Sequence, residues 1–249
     1  MNSTVENSLK RLKIRIYSCL EIVFSVQSNC GITQLPAFLK NYFFLRKEVS
    51  KNISSIKEKY EIANPGVSYQ KYMDIDYWLF ENLRRAYVLG LHKMTEKIAI
   101  LDIGTGPGYF PFICGFYGHD AEALDVPDNE MYNEMKVKLG IKRYDQRILP
   151  FRNLDIYRKY DLITAFMICF NNHQQPDLWH IREWEHFINS LFSRNLHPGG
   201  EVVLSFNAET PQEPISKELL SYFIGNGAKV DGNTVFLKSN YAFCAGNIA

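Results

Sequence analysis

The feature that most constrains the fold is the segment from Ile98 to Phe110, which reads Ile-Ala-Ile-Leu-Asp-Ile-Gly-Thr-Gly-Pro-Gly-Tyr-Phe. An apolar run reaches an acid, and three alternate glycines follow at Gly104, Gly106 and Gly108. Glycine adopts positive φ without steric cost and lets a ligand come close to the backbone. The order of strand, glycine loop and helix therefore predicts a nucleotide-containing ligand at the carboxyl end of the first strand of an open α/β sheet.

Composition limits the partners of this chain. Its 249 residues are 46% hydrophobic, which suffices for a continuous core. The 28 lysines and arginines balance 27 acids, leaving a net charge of +1, so no nucleic-acid partner is expected. The five cysteines are odd in number and include no Cys-x-x-Cys pair. This usage argues against a disulfide framework and a zinc site, and it favours a cytoplasmic location.

Residues 1–66 have a helical pattern. Apolar residues recur at intervals of three and four in two series, over 9–23 and 38–60. The segment Asn64-Pro-Gly66 ends the second helix. We therefore expect a helical cap over 1–66 and a second domain over 67–249. The apolar stretch near the N-terminus is interrupted by charges and is too short for a transmembrane segment, although docking of a basic helix on a membrane surface remains an alternative.

Strands and helices alternate through most of the remaining chain, which is typical of an α/β fold. The expected strands are 98–102, 121–125, one within 143–148, 161–166, 201–206, 228–230 and 234–237. The expected helices are 72–89, 107–117, 129–139, 177–195 and 216–223. The last two strands are separated only by Asp231-Gly-Asn233, which is too short for a parallel crossover. These two strands must therefore be antiparallel.

Four motifs carry a family resemblance. They are Leu101-Asp-Ile-Gly-Thr-Gly-Pro-Gly108, the acid Asp125 after the second strand, Tyr160-Asp-Leu-Ile-Thr164 and His197-Pro-Gly-Gly200. With them the chain resembles the class I S-adenosylmethionine-dependent methyltransferases over roughly residues 68–238. The resemblance implies a Rossmann-like α/β fold. Its seven-stranded sheet is mostly parallel, ends in a C-terminal antiparallel hairpin and carries helices on both faces.

The resemblance also implies S-adenosylmethionine as the cofactor. Asp102, Thr105 and the backbone of 104–108 would hold its amino-acid end, Asp125 its ribose, and Val126 one face of its adenine. Read without the family, Asp125 stands where a carboxylate accepts both hydroxyls of a ribose, a feature that dinucleotide sites share.

Four further contacts with the cofactor are expected. Ile148 would supply an apolar contact, because the segment around it departs from the family's common Gly-Asp-Ala form. Phe166 or Phe170 would face the cationic sulfur. Tyr69 and Lys71 would reach the cofactor carboxylate, with packing of the third helix as the alternative.

The segment after the fourth strand lacks the Asn/Asp-Pro-Pro-Tyr sequence of many amino methyltransferases, which argues against N-methylation of adenine or glutamine. An acceptor hydroxyl with a high pKa needs a base as well as in-line positioning. His173 is the candidate base, and Asn171 and Asn172 would orient the acceptor by hydrogen bonds. A surface or capping role is the alternative for His173.

The expected function is transfer of a methyl group to oxygen or nitrogen of a small polar metabolite, such as a sugar or a secondary-metabolite intermediate. A protein acceptor is an open alternative. The sequence does not indicate which oligomeric state the chain adopts. Two other functions are alternatives. An NAD-dependent oxidoreductase would use the same strand and loop, but Tyr109 replaces the third glycine of the dinucleotide pattern. A non-catalytic scaffold would bind the cofactor without transferring the methyl group.

Overall fold

The computed structural model of the chain describes residues 34–63, 68–168, 179–207 and 215–238. It contains a seven-stranded sheet in the order β3-β2-β1-β4-β5-β7-β6. The strands are β1 (Ala99–Ile103), β2 (Asp120–Asp125), β3 (Lys142–Asp145), β4 (Tyr160–Ile168), β5 (Leu196–Phe206), β6 (Lys229–Asp231) and β7 (Thr234–Lys238). The strands β3, β2, β1, β4 and β5 are parallel to their neighbours in this order, whereas β7 is antiparallel to both β5 and β6. The predicted fold and its closing hairpin are confirmed.

The described ranges contain six α-helices. They are α1 (Leu35–Ala63), α2 (Ile75–Val88), α3 (Tyr109–Phe116), α4 (Glu130–Lys138), α5 (Ile181–Ser190) and α6 (Lys217–Gly225). Short 3-10 turns cover Ser68–Met73 and Leu91–Lys93, and a π turn over Leu191–Asn195 continues α5. Side-chain caps begin at least three of the helices, because Asp74 accepts from the Tyr77 amide, Asn129 from the Tyr132 amide and Ser216 from the Leu219 amide.

Helices cover both faces of the sheet. In β1, Ile100 belongs to the hydrophobic cluster that α1 to α4 share, which defines the first face. Leu101 and Ile103 belong to the cluster that α5 and α6 share, which defines the second face. Because side chains alternate along a strand, Asp102 lies on the first face with Ile100.

Among the element boundaries that differ from the sequence-based expectation, two have a clear local cause. β5 begins at Leu196 rather than at residue 201, because Leu196 pairs with Tyr160 before a register shift. Gly200 lies inside that irregular stretch, where a Cβ would come within 2.8 Å of the Leu196 side chain. α3 begins at Tyr109 rather than at residue 107, because Gly108 has a φ of +89° and caps the helix from a left-handed conformation.

The N-terminal helix α1 packs directly on the first face. Phe38, Val49 and Ile53 are fully buried in the cluster that also contains Ile100 of the sheet. The predicted division at residue 66 stays a prediction, since residues 64–67, like the first apolar series, lie outside the described residues. Among the helices of the described ranges, none has the length and apolarity to cross a membrane.

Candidate functional site

The glycine loop lies at the carboxyl end of β1, as predicted. Gly104, Gly106 and Gly108 have φ angles of +69°, +58° and +89°, and the Gly104 amide donates to the carbonyl of Leu124 at 2.8 Å. A Cβ on Gly108 would lie 3.1 Å from Ile141, so local packing requires this glycine. A Cβ on Gly106 would meet only the Tyr132 ring, at 3.8 Å. Gly106 is therefore the loop glycine whose surroundings leave room for a ligand.

Asp102 is the buried acid of the site, with 3% of its surface exposed. Its Oδ1 accepts a hydrogen bond of 2.7 Å from the hydroxyl of Thr164, which lies opposite in β4. Burial raises the pKa of Asp102 from 3.8 to about 6, since water no longer solvates the charge. Within the described ranges it forms no ion pair. The carboxylate is thus placed to receive a cationic group.

Asp125 holds the loop from the end of β2. Its two oxygens accept from the backbone amides of Gly106 at 2.5 Å and Val126 at 2.7 Å. Burial raises its pKa. A carboxylate has about four acceptor positions, so two positions stay available for other donors. The predicted contacts of Asp125 with a ribose and of Val126 with an adenine stay predictions.

An aromatic group borders the loop on the side of the 3-10 turn at 68–73. The Tyr109 hydroxyl donates to the Tyr72 carbonyl at 2.9 Å, and the Tyr72 and Tyr132 rings meet edge to face at 5.6 Å. Lys71 is exposed, with its Nζ 5.0 Å from the Tyr72 ring centroid. The side chain of Tyr69 lies outside the described residues. Sequence reasoning missed Tyr132, which lies on α4 beside Gly106.

Phe166, the residue expected to face a cationic sulfur, already contacts a cation. The guanidinium of Arg85 lies 4.5 Å from the centroid of its ring. The ring also meets Phe110 edge to face at 4.9 Å. One face of the ring is therefore taken by Arg85, and the predicted contact of Phe166 with a cationic sulfur stays a prediction.

Arg85 itself was missed by sequence reasoning. Its side chain is 13% exposed, and burial lowers its pKa. Its Nη1 donates to Asn82 at 2.9 Å, and its Nε lies 3.6 Å from the carboxylate of Glu81. In the sequence, Arg85 is marked only by the pair Arg84-Arg85 within an amphipathic helix. Such pairs are common on surface helices, so this pair does not indicate a functional site.

Backbone strain marks the end of β4. Met167 has a φ of +57°, although it is not a glycine, and its side chain is 43% exposed. The register with β5 shifts between Phe166 and Ile168, and the Asn207 side chain donates to the Met167 carbonyl at 2.8 Å. Strained backbone of this kind costs roughly 1–3 kcal/mol and clusters at functional sites. Asn171, Asn172 and His173 follow this strained residue in the segment 169–178, outside the described residues.

The segment after β3 has a mainly structural environment. Ile148 is half-buried against the second-face cluster. Asp145 forms an ion pair of 2.8 Å with Lys136, and Arg147 pairs with Asp128. Both charged side chains are therefore engaged in surface ion pairs. The predicted contact of Ile148 with the cofactor stays a prediction.

A scan against protein-family models and a search of curated proteins found no match. Solved structures do show similarity. The ribosomal protein L11 methylase of Lactobacillus delbrueckii subsp. bulgaricus is 19% identical, with a TM-score of 0.41 over 64% of this chain and 78% of that chain. CalS10 of Micromonospora echinaspora is an amino pentose methyltransferase solved with bound S-adenosylmethionine. It is 19% identical, with a TM-score of 0.39 over 57% of this chain and 52% of its own.

Phosphoethanolamine N-methyltransferase 1 of Haemonchus contortus, in complex with phosphoethanolamine and S-adenosylhomocysteine, is 13% identical. Its TM-score is 0.41, over 66% of this chain and 33% of that chain. The match thus spans about half of CalS10 and a third of the Haemonchus enzyme. Likenesses of this size concern the arrangement of strands and helices, and no activity follows from them.

Proposed function

We propose that this chain is an S-adenosylmethionine-dependent methyltransferase. The observation that carries the proposal is Asp102, a buried carboxylate whose one side-chain hydrogen-bond donor in the described ranges is the Thr164 hydroxyl. A buried charge is costly unless it is paired. The ammonium of an amino acid would pair with it, and S-adenosylmethionine carries such a group beside its transferable methyl.

The loop residues suit the rest of that cofactor. Amides and positive-φ glycines at Gly104, Gly106 and Gly108 let a ligand approach the backbone closely. Asp125 keeps acceptor capacity for ribose hydroxyls, and Val126 and Ile148 offer apolar surface for an adenine. When bound, the cofactor supplies an electrophilic methyl group, and the residues of this chain orient it and exclude water from it.

Two observations disfavour an NAD-dependent oxidoreductase. The dinucleotide pattern uses a third glycine for close packing of helix against strand, whereas Tyr109 is buried there and bonded to the Tyr72 carbonyl. The usual dinucleotide sheet has the order 3-2-1-4-5-6, whereas here β7 is inserted antiparallel beside β5. Both features suit a ligand that lacks a diphosphate.

The acceptor is proposed to be a small polar metabolite, methylated on oxygen or nitrogen. His173 as base and Asn171 and Asn172 as orienting groups belong to the same proposal. The strained Met167 supports a reaction site at the end of β4, because it lies six residues before His173. A cytoplasmic location is part of the proposal, and the buried thiol of Cys114 is compatible with it.

Calorimetric titration tests the cofactor class. The purified full chain is titrated with S-adenosylmethionine, S-adenosylhomocysteine and NAD in parallel. We expect binding of the first two and none of NAD. Binding of NAD alone would contradict the proposal. Labelled S-adenosylmethionine with a metabolite extract then separates an enzyme from a scaffold, since a scaffold binds the cofactor but transfers no label.

A further inference from the structure

A cavity of about 360 Å³ opens on the first face of the sheet. Its wall is the second half of α2, and its floor consists of side chains that β4, β5 and β7 turn toward the first face. Phe166, Ser205 and Phe236 belong to that floor, and Met167 stands at its edge. A volume of this order accepts a small molecule.

Two guanidinium groups and two carboxylates border the cavity, and both guanidinium groups belong to α2. Arg84 contacts the carboxylate of Glu81 through two hydrogen bonds, of 3.0 and 2.7 Å. Arg85 lies 3.6 Å from the same carboxylate. Glu81 is therefore close to both guanidinium groups, and Arg85 also feels the charge of Asp102. The other acid that borders the cavity, Asp231, is exposed at the end of β6.

Arg85 has donors to spare. A guanidinium carries five N–H groups, and in the described ranges Arg85 makes one hydrogen bond, from Nη1 to Asn82, and one longer contact, from Nε to Glu81. Its Nη2 has no hydrogen-bond acceptor among those residues. The group is 13% exposed and borders the cavity. A buried guanidinium with open donors is suited to a planar or tetrahedral oxyanion.

We propose that this cavity binds the acceptor of the reaction and holds it through an oxyanion, a carboxylate or a phosphate, on Arg85. Phe236 and Phe166 then pack against the apolar part of the acceptor. The cavity lies next to α3, the helix that follows the cofactor loop, because the Phe166 ring lines the cavity and contacts Phe110 in the first turn of α3. The inference rests on the proposed function, since it makes the occupant the acceptor of a methyl group.

The probes are phenyl phosphate and benzoate, with benzyl alcohol and benzamide as neutral counterparts. The full chain, with saturating S-adenosylhomocysteine, is titrated with each probe and followed by NMR. At least one anion is expected to bind. Its neutral counterpart is expected to bind at least tenfold more weakly than that anion. The two anions distinguish a phosphate site from a carboxylate site. Equal binding of anions and neutral probes, or no binding of either anion, would overturn the proposal.

Variants locate the binding. Arg85→Met is expected to weaken anion binding at least tenfold, whereas Arg182→Met, at an exposed arginine of α5 on the second face, leaves it unchanged. Val88→Trp fills the cavity from an exposed position and replaces no charged residue. Val137→Trp, at an exposed position of α4, is its matched control. Thermal unfolding checks that each variant is folded. Unchanged anion binding in both Arg85→Met and Val88→Trp would place the anion elsewhere and overturn the proposal.

The cofactor is titrated separately, so the two proposals fail in different ways. Absence of S-adenosylhomocysteine binding in the unmodified chain contradicts the proposed function. Intact S-adenosylhomocysteine binding without anion selectivity contradicts only the acceptor site. If Arg85→Met abolishes S-adenosylhomocysteine binding and leaves anion binding unchanged, Arg85 belongs to the cofactor site and the acceptor inference is wrong.

Discussion

Asp102 and Glu122 are buried acids on neighbouring strands, but their surroundings are opposite. Glu122 pairs with Leu101 in the register of β1 and β2, so it lies on the second face, whereas Asp102 lies on the first. The Glu122 carboxylate receives hydrogen bonds from four side chains, namely Lys142, Tyr144, Arg158 and Tyr160. In the described ranges, the Asp102 carboxylate accepts one hydrogen bond from another side chain, the hydroxyl of Thr164.

The pKa values follow these surroundings. The donors around Glu122 outweigh its burial and lower its pKa from 4.5 to about 2. Around Asp102 burial prevails, and the pKa rises from 3.8 to about 6. The Glu122 carboxylate accepts hydrogen bonds from cations and phenols, so it holds parts of the fold together. The buried Asp102 carboxylate has one hydroxyl donor and feels the charge of Arg85 without forming an ion pair with it, so it still lacks a directly bound cation, which is typical of a ligand site.

The largest expected difference is in stability. Glu122→Gln removes the charge that Lys142 and Arg158 face, and we expect it to lower the free energy of unfolding by about 2–3 kcal/mol. Asp102→Asn removes a buried charge that forms no ion pair and should change it by less than about 1 kcal/mol. Urea unfolding at pH 7.5 measures both values. Equal losses of unfolding free energy in the two variants would contradict the proposed difference between the two acids.

Cofactor binding should give the reverse order. Asp102→Asn is expected to weaken S-adenosylhomocysteine binding by about 10- to 100-fold, since a charge-assisted hydrogen bond contributes roughly 1.5–3 kcal/mol. Glu122→Gln, where folded, should bind within about twofold of the unmodified chain. Calorimetry gives both constants. A larger loss in Glu122→Gln than in Asp102→Asn would mean that the wrong acid has been assigned to the cofactor.

The pH dependence of stability sharpens the comparison. The folded pKa of Asp102, about 6, is above its unfolded value, so the folded state takes up a proton and becomes more stable as the pH falls from above 6 toward 4. The pKa of Glu122 is lowered to about 2, so its contribution is present above about pH 4.5 and is lost as the pH falls toward 2.

Unfolding free energies at pH 7.5 and pH 5 for the unmodified chain and Asp102→Asn test this assignment. The gain on acidification should be smaller in the variant by about 1.4 kcal/mol, because one pH unit separates the folded pKa of about 6 from pH 5. If both chains gain the same stability, then Asp102 does not titrate in this range.

The smallest expected effect concerns the partner of Asp102. Thr164→Val removes the hydroxyl donor and keeps the shape of the side chain. It should raise the pKa of Asp102 further and weaken S-adenosylhomocysteine binding by about two- to fivefold at pH 6, with a smaller effect at pH 8 where the carboxylate is ionised. Thr234→Val, at the start of β7, is the matched control and should leave both values unchanged.

The local features of the site could be predicted from the sequence, and its long-range contacts could not. The glycine loop and the closing hairpin depend on neighbouring residues, so their positions follow from spacing and loop length. The hydrogen bond between Thr164 and Asp102 joins residues 62 apart in the chain and depends on which strands are neighbours. The contact of Arg85 with Phe166 likewise depends on how α2 lies across β4.

The central claim is that the ammonium of S-adenosylmethionine completes the environment of Asp102. Calorimetric titration with S-adenosylhomocysteine at pH 6, in buffers that differ in ionisation enthalpy, counts the protons exchanged on binding. Asp102 is about half protonated at this pH, so the unmodified chain should release about half a proton per ligand bound, and Asp102→Asn should release none. Equal proton release by the two chains, or no release by the unmodified chain, would contradict the claim.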